Sequence, residues 1–97
     1  MNMIDVVTDV IRKYGDIKDI IIDGHKSNVW YFHLLCRHFI RPRFVSPEFH
    51  NIYVKIDGSI IHVKINDNAG LFVVDLCDPN SLDRLHRYFD RVCVKMR

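Results

Sequence analysis

Arg84, Arg87, Arg91 and Lys95 recur at spacings of three and four residues near the end of a 97-residue chain. On a helix turning 100° per residue they fall within about 80° of arc and form one cationic stripe. Like charges at these spacings repel by roughly 0.2–0.5 kcal/mol per pair. A negatively charged partner relieves that cost. Nucleic acid phosphates are the natural candidate, and each one neutralised adds to the salt dependence of binding. Asp83 and Asp90 flank the stripe, so the competing reading is a solvated face compensated by its own acids.

A second set lies in the middle of the chain. Read as a helix running from Ser27 or Asn28 to about Ile40, this segment projects Trp30, His33, Leu34, Arg37 and His38 from one side, with Arg41 at its end on the same side and Arg43 just beyond. An aromatic ring interleaved with Arg and His suits base stacking combined with phosphate contact. Trp and Arg are equally the residues of protein–protein hot spots, or Trp30 simply packs against a neighbouring helix. A third set, Tyr53, Lys55, His62 and Lys64, belongs to the outer face of a hairpin. A basic, aromatic sheet face can stack and neutralise single-stranded nucleic acid. With one tyrosine in the set, a solvated sheet face is the plainer reading.

Metal and catalytic chemistry find less support. His33, Cys36 and His38 offer three possible ligands in six residues. On a helix, however, Cys36 points about 60° from His33 and about 160° from His38, so one ion cannot meet all three. The acids Asp16, Asp19, Asp23, Asp57, Asp75 and Asp78 are scattered, and no nucleophile elbow, phosphate-binding loop or H-E-x-x-H motif occurs. Asp57 with Lys64 lacks a further carboxylate, where His62 stands. Cys77 with His86 lacks a third group to orient a thiol–imidazole pair. The expectation is a non-catalytic protein with neither metal nor cofactor.

The elements that must position these residues are read from periodicity. Met3, Ile4, Val7, Val10, Ile11 and Tyr14 share one face of a first helix, with Asp5, Thr8, Asp9 and Arg12 opposite; Asn2 caps it and Gly15 is placed to end it. The β-branched run Ile17–Asp23 favours a strand over a short helix. Gly24 to Ser27 is a turn into the second helix, whose buried face is Val29, Phe32, Leu35, Cys36, Phe39 and Ile40. Pro42 stops that helix, and residues 41–47 read as an extended connector.

Ile52–Ile56 and Ile60–Ile65 alternate about Asp57-Gly58, a strong signal for a type I′ hairpin. That turn sets Val54 opposite Ile61, Ile52 opposite Val63 and Tyr53 opposite His62. A third strand spans Leu71–Cys77, and Asp78-Pro79-Asn80-Ser81 opens a last helix with Leu82, Leu85, Phe89, Val92, Cys93 and Met96 on its core side. The expected fold is α+β: a three-stranded antiparallel meander, with a fourth strand at 17–23, packed on two or three amphipathic helices in a single domain over 1–97.

Composition agrees with a globular chain: 48% of residues are hydrophobic and 27% charged, and the formal charge of +2 is too small to imply a polyanion partner by itself. Cys36, Cys77 and Cys93 are odd in number and widely spaced, which predicts small buried hydrophobes rather than a disulfide framework. No membrane span is expected, and Met1 to Asp5 lacks the basic and apolar regions of a secretory signal, which predicts an intracellular, cytoplasmic protein.

Helix, three-stranded meander, helix is also the element order of a double-stranded RNA-binding domain, but Ser81-Leu82-Asp83-Arg84 replaces that domain's lysine-rich helix opening. Reading Met3–Ile40 as three helices instead makes a winged helix, with Trp30, His33, Arg37 and Arg41 on its recognition helix. Neither analogy rests on a family motif. The leading functional expectation is a small nucleic-acid-binding protein of regulatory type, using Arg84, Arg87, Arg91 and Lys95 together with Trp30, Arg37, Arg41 and Arg43. The alternative is a protein-interaction module (inhibitor, adaptor or homodimer) that makes its contact through Trp30 or the edge of the meander.

Overall fold

The computed structural model describes residues 2–23, 28–41, 44–66 and 70–93, and of residues 37–41, 44–48 and 93 the backbone alone. The elements are α1 (Met3–Arg12), β1 (Asp16–Ile22), β2 (Val29–Arg41), β3 (Phe44–Asp57), β4 (Ile60–Ile65), β5 (Phe72–Asp75) and α2 (Ser81–Cys93). The strands form one antiparallel meander in the order β1-β2-β3-β4-β5. The α+β class, the meander and the amphipathic helices at either end agree with the sequence reading. Among the described residues the strands number five, not three or four, and the helices two.

The central correction is β2, which was expected to be a helix. Val29, Phe32 and Cys36 are buried at helical spacing, yet Leu34 is buried as well and Trp30 packs on the same core. Trp30, Phe32, Leu34 and Cys36 alternate strictly, and the first three stand opposite Val54, Ile52 and His50 of β3. A helix would turn Trp30 and Leu34 away from the core. The run Val29-Trp30-Tyr31-Phe32 is also aromatic and β-branched, as a half-buried strand favours. Both nucleic-acid fold analogies fall with this element, because no recognition helix exists here and five strands replace the three-stranded meander. The expected connector at 41–47 is instead strand over 44–47; Pro42 and Arg43 lie outside the described residues.

The β3–β4 hairpin keeps its faces but not its register. Val54 lies opposite Val63, Ile52 opposite Ile65, Tyr53 opposite Lys64 and Asp57 opposite Ile60. The turn therefore centres on Gly58-Ser59, and Gly58 has φ 65° while neither Asp57 nor Ser59 has positive φ. One positive φ at the first central position is the II′ pattern, so the chain avoids the second left-handed residue that I′ requires. Because the partner moves by two residues, Ile52, Val54, Ile61, Val63 and Ile65 stay on the inner face, while Ile60 lies outside and is exposed.

Both helices cover that inner face. Val7, Val10 and Ile11 of α1 and Leu85, Tyr88 and Phe89 of α2 share one core with Phe32, Leu34, Ile52, Val54, Ile61, Val63, Ile65 and Val74. The Asn2 side chain caps α1 through the Ile4 N–H at 3.3 Å. Thr8, expected outside, is nearly buried and donates to the Ile4 carbonyl at 2.7 Å. Gly15 does not end α1, whose cap is Lys13; a Cβ there would strike the Leu35 carbonyl, so glycine allows close passage of the chain over β2. Tyr14 stacks on Phe89 with ring centroids 5.3 Å apart and donates to Asp90 at 2.7 Å, tying the end of α1 to α2.

At the other end, β5 stops at Asp75, two residues short of expectation. The Asp75 carboxylate accepts from the Cys77 N–H at 2.9 Å and the Ser59 hydroxyl at 2.7 Å, which turns the chain and leaves Cys77 exposed rather than buried. Leu82, expected in the core, is 44% exposed; buried Tyr88 takes that role. Its hydroxyl accepts from the Ile65 N–H and donates to the Gly70 carbonyl, each at 3.1 Å.

Candidate functional site

The face of the sheet away from the helices carries neither described helix, and of its described side chains Val29 alone is fully buried. Register builds it row by row. One row runs Ile21, Tyr31, Tyr53, Lys64 across four strands; the next contains Asp19, His33 and Asn51; a third pairs Leu35 with Phe49. Toward the β3–β4 turn lie Val29, Lys55, His62 and Val73. Tyr31 is 43% and Phe49 55% exposed. The rings meet in pairs, Tyr31 with Tyr53 at 5.7 Å between centroids and His33 with Phe49 at 4.6 Å. Such cross-strand pairs contribute about 0.2–1 kcal/mol to the sheet and still leave ring surface open to solvent.

The polar atoms of this face are uncommitted. Among the described residues, no carboxylate pairs with Lys55 or Lys64 within 4.0 Å, and no hydrogen bond engages the hydroxyls of Tyr31 or Tyr53. Tyr14 and Tyr88 differ, since their hydroxyls join elements of the fold.

Beyond this face the sheet narrows to a ribbon. The β1 ladder ends at Asp16–Leu35 and the β4 ladder at Ile52–Ile65, whereas β2 and β3 continue pairing from Cys36–Glu48 to Arg41–Phe44. Arg37, His38 and Arg41 belong to this extension, and no acid occurs between Cys36 and Pro47. Six residues of β2 carry it roughly 20 Å past the neighbouring strands.

The expected site residues are thus distributed unevenly. Arg84, Arg87 and Arg91 do lie exposed along α2. Arg87 pairs with Asp83 at 2.9 Å, Arg84 approaches Asp78 at 3.9 Å, and Arg91 lies 5.7 Å over the Tyr88 ring. Lys95 lies outside the described residues. Trp30 sits on the inner face against the core, not among exposed cations. Arg37 and Arg41 are on β2, with a register irregularity between Phe39 and Arg41, so no single helix face joins them to Trp30. Arg43 lies outside the described residues.

The weaker chemical candidates separate. Cys36 is buried among inner-face residues while His33 stands in an outer row, because strand alternation parts odd from even positions. His38 is known here by its backbone alone. Asp57 and Lys64 occupy opposite ends of the β3–β4 ladder. Sequence reasoning overlooks Tyr31 and Phe49, and places His33 on a helix beside Trp30 rather than on a strand against Phe49. The signal was present: odd positions from 29 to 37 alternate with an apolar even series, and Phe49, Asn51 and Tyr53 continue the pattern on β3. No helix among the described residues is long and apolar enough to cross a membrane. Compared with family models, curated proteins and solved structures, the chain matches none.

Proposed function

We propose that this chain is a non-catalytic, intracellular nucleic-acid-binding protein of regulatory type, working through the outer sheet face and the basic ribbon. One observation carries the reading: Lys55 and Lys64 flank the Tyr31–Tyr53 pair on an uncovered face, and none of these four polar groups is engaged within the fold. A lysine without a carboxylate is available to a phosphate, and an exposed ring to a base. Arg37 and Arg41 extend the positive charge along the ribbon. The α2 stripe is a weaker docking element, because Arg84 and Arg87 already face their own acids.

The test is fluorescence anisotropy of labelled DNA and RNA oligonucleotides across a salt series. Lys55→Glu with Lys64→Glu should abolish most of the affinity at low salt. Arg87→Glu with Arg91→Glu should change it little. Equal binding by wild type and the lysine variant would remove the sheet face from the account.

A second reading, a protein-interaction module, draws on β1. This edge strand exposes Ile20, Ile21 and Ile22 at 43%, 58% and 60%. Such an edge can accept a further strand from another chain. A concentration-dependent dimer, dispersed by Ile21→Lys, would favour it.

A further inference from the structure

Resting on that reading, we infer that the outer face takes an unpaired, single-stranded segment of nucleic acid, with bases set on Tyr31–Tyr53 and on His33–Phe49. In a duplex the faces of the bases are covered by their neighbours. Only edges and phosphates are offered, and open rings on a broad sheet gain nothing from either. An unpaired base brings a free π-face, and base–aromatic stacking is worth about 1–3 kcal/mol per base.

Spacing points the same way. Tyr31 and His33 are two residues apart on β2, about 6.6 Å along the strand. Successive bases of a duplex strand rise only about 3.4 Å. The two ring pairs therefore fit neighbouring bases that are splayed apart, and a stacked helix cannot seat one base on each. Lys64 lies beside Tyr53 in its row and Lys55 two residues along β3, so cations stand next to the platform rather than across it. Exposed Asn51, beside His33 in its row and between Tyr53 and Phe49 along β3, offers an amide to a base edge.

The ribbon could by itself enter a major groove, as two-stranded ribbons do. Its charge serves either ligand, so it does not decide between them. The exposed ring pairs do.

The experiment is anisotropy of one labelled 12-nucleotide sequence, single-stranded and as its duplex, with emission from inward-facing Trp30 reporting that each variant is folded. The single strand should bind at least tenfold tighter. Tyr31→Ala or Tyr53→Ala should weaken it by about 5- to 160-fold, matching ~1–3 kcal/mol of lost stacking, and leave the duplex unchanged. Tyr31→Phe should retain binding. Tyr31→Leu, which keeps an apolar side chain on the strand without a π-face, should not. Equal or tighter duplex binding that still needs Lys55 and Lys64 would overturn this inference and leave the proposed function standing. Failure to bind either form would overturn both. So would a dimer that is broken by Phe49→Arg and excludes the oligonucleotide.

Discussion

The two cationic surfaces of this protein have opposite surroundings. On α2, arginines alternate with aspartates at helical spacing: Arg87 meets Asp83, Arg84 approaches Asp78, and Arg91 rests over a tyrosine ring that the core already holds. On the outer sheet, Lys55 and Lys64 stand among rings with no carboxylate in reach among the described residues. Tyrosines divide along the same line. Tyr14 and Tyr88 spend their hydroxyls joining elements, whereas Tyr31 and Tyr53 leave theirs to solvent. A cationic stripe therefore points to a ligand only where the fold has not already answered its charge.

The sharpest way to break this contrast is to truncate an aromatic on each side. Phe89→Ala should cost about 3–5 kcal/mol in chemical denaturation, because it empties a buried site. Tyr31→Ala should cost no more than about 1 kcal/mol, the scale of a cross-strand pair. A comparable loss from Tyr31 would make that ring structural and weaken the functional reading. Tyr88→Phe comes next, at about 1–3 kcal/mol, since it orphans the Ile65 N–H and the Gly70 carbonyl together. Tyr53→Phe should leave the melting temperature unchanged.

Arg87→Ala should remove only about 0.3–0.5 kcal/mol, as an exposed pair four residues apart does. The smallest effect is a pH response at Asp75. The Cys77 N–H and then the Ser59 hydroxyl hold its carboxyl below the ordinary 3.8. A depressed carboxyl adds stability above its unfolded pKa, and that increment is lost as pH falls through the folded value. Asp75→Asn should therefore narrow its stability gap to wild type as the solution is acidified below about pH 4, read from melting curves.

The parts legible in the sequence are those where one period stood unopposed. Residues 3–11 carry a helical stripe with a cap, and the core face of 52–65 alternates cleanly, so α1 and the hairpin's inner face emerge directly. Residues 29–36 satisfy two periods at once, since Phe32 and Cys36 serve a helical stripe and a strand alternation equally. Pairing with β3 decides for the strand, and that long-range contact is invisible locally. The functional consequence is large. Once β2 is a strand, Trp30 leaves the surface, His33 stays on it, and Tyr31 joins it beside Tyr53. No local pattern at Lys55 or Lys64 could reveal that they stand unpaired, because that depends on which residues neighbouring strands bring alongside.

The central claim is that free cations on the sheet, not compensated ones on α2, meet phosphate. Its most direct test is the salt dependence of single-stranded oligonucleotide binding for wild type, the Lys55→Glu/Lys64→Glu variant and the Arg84→Glu/Arg87→Glu variant. The account predicts that the lysine variant lowers the slope of log K against log salt by about 1.4, two phosphates at ~0.7 each, and that the arginine variant retains the wild-type slope. A slope lost with the arginines and kept without the lysines would contradict it and return the site to α2.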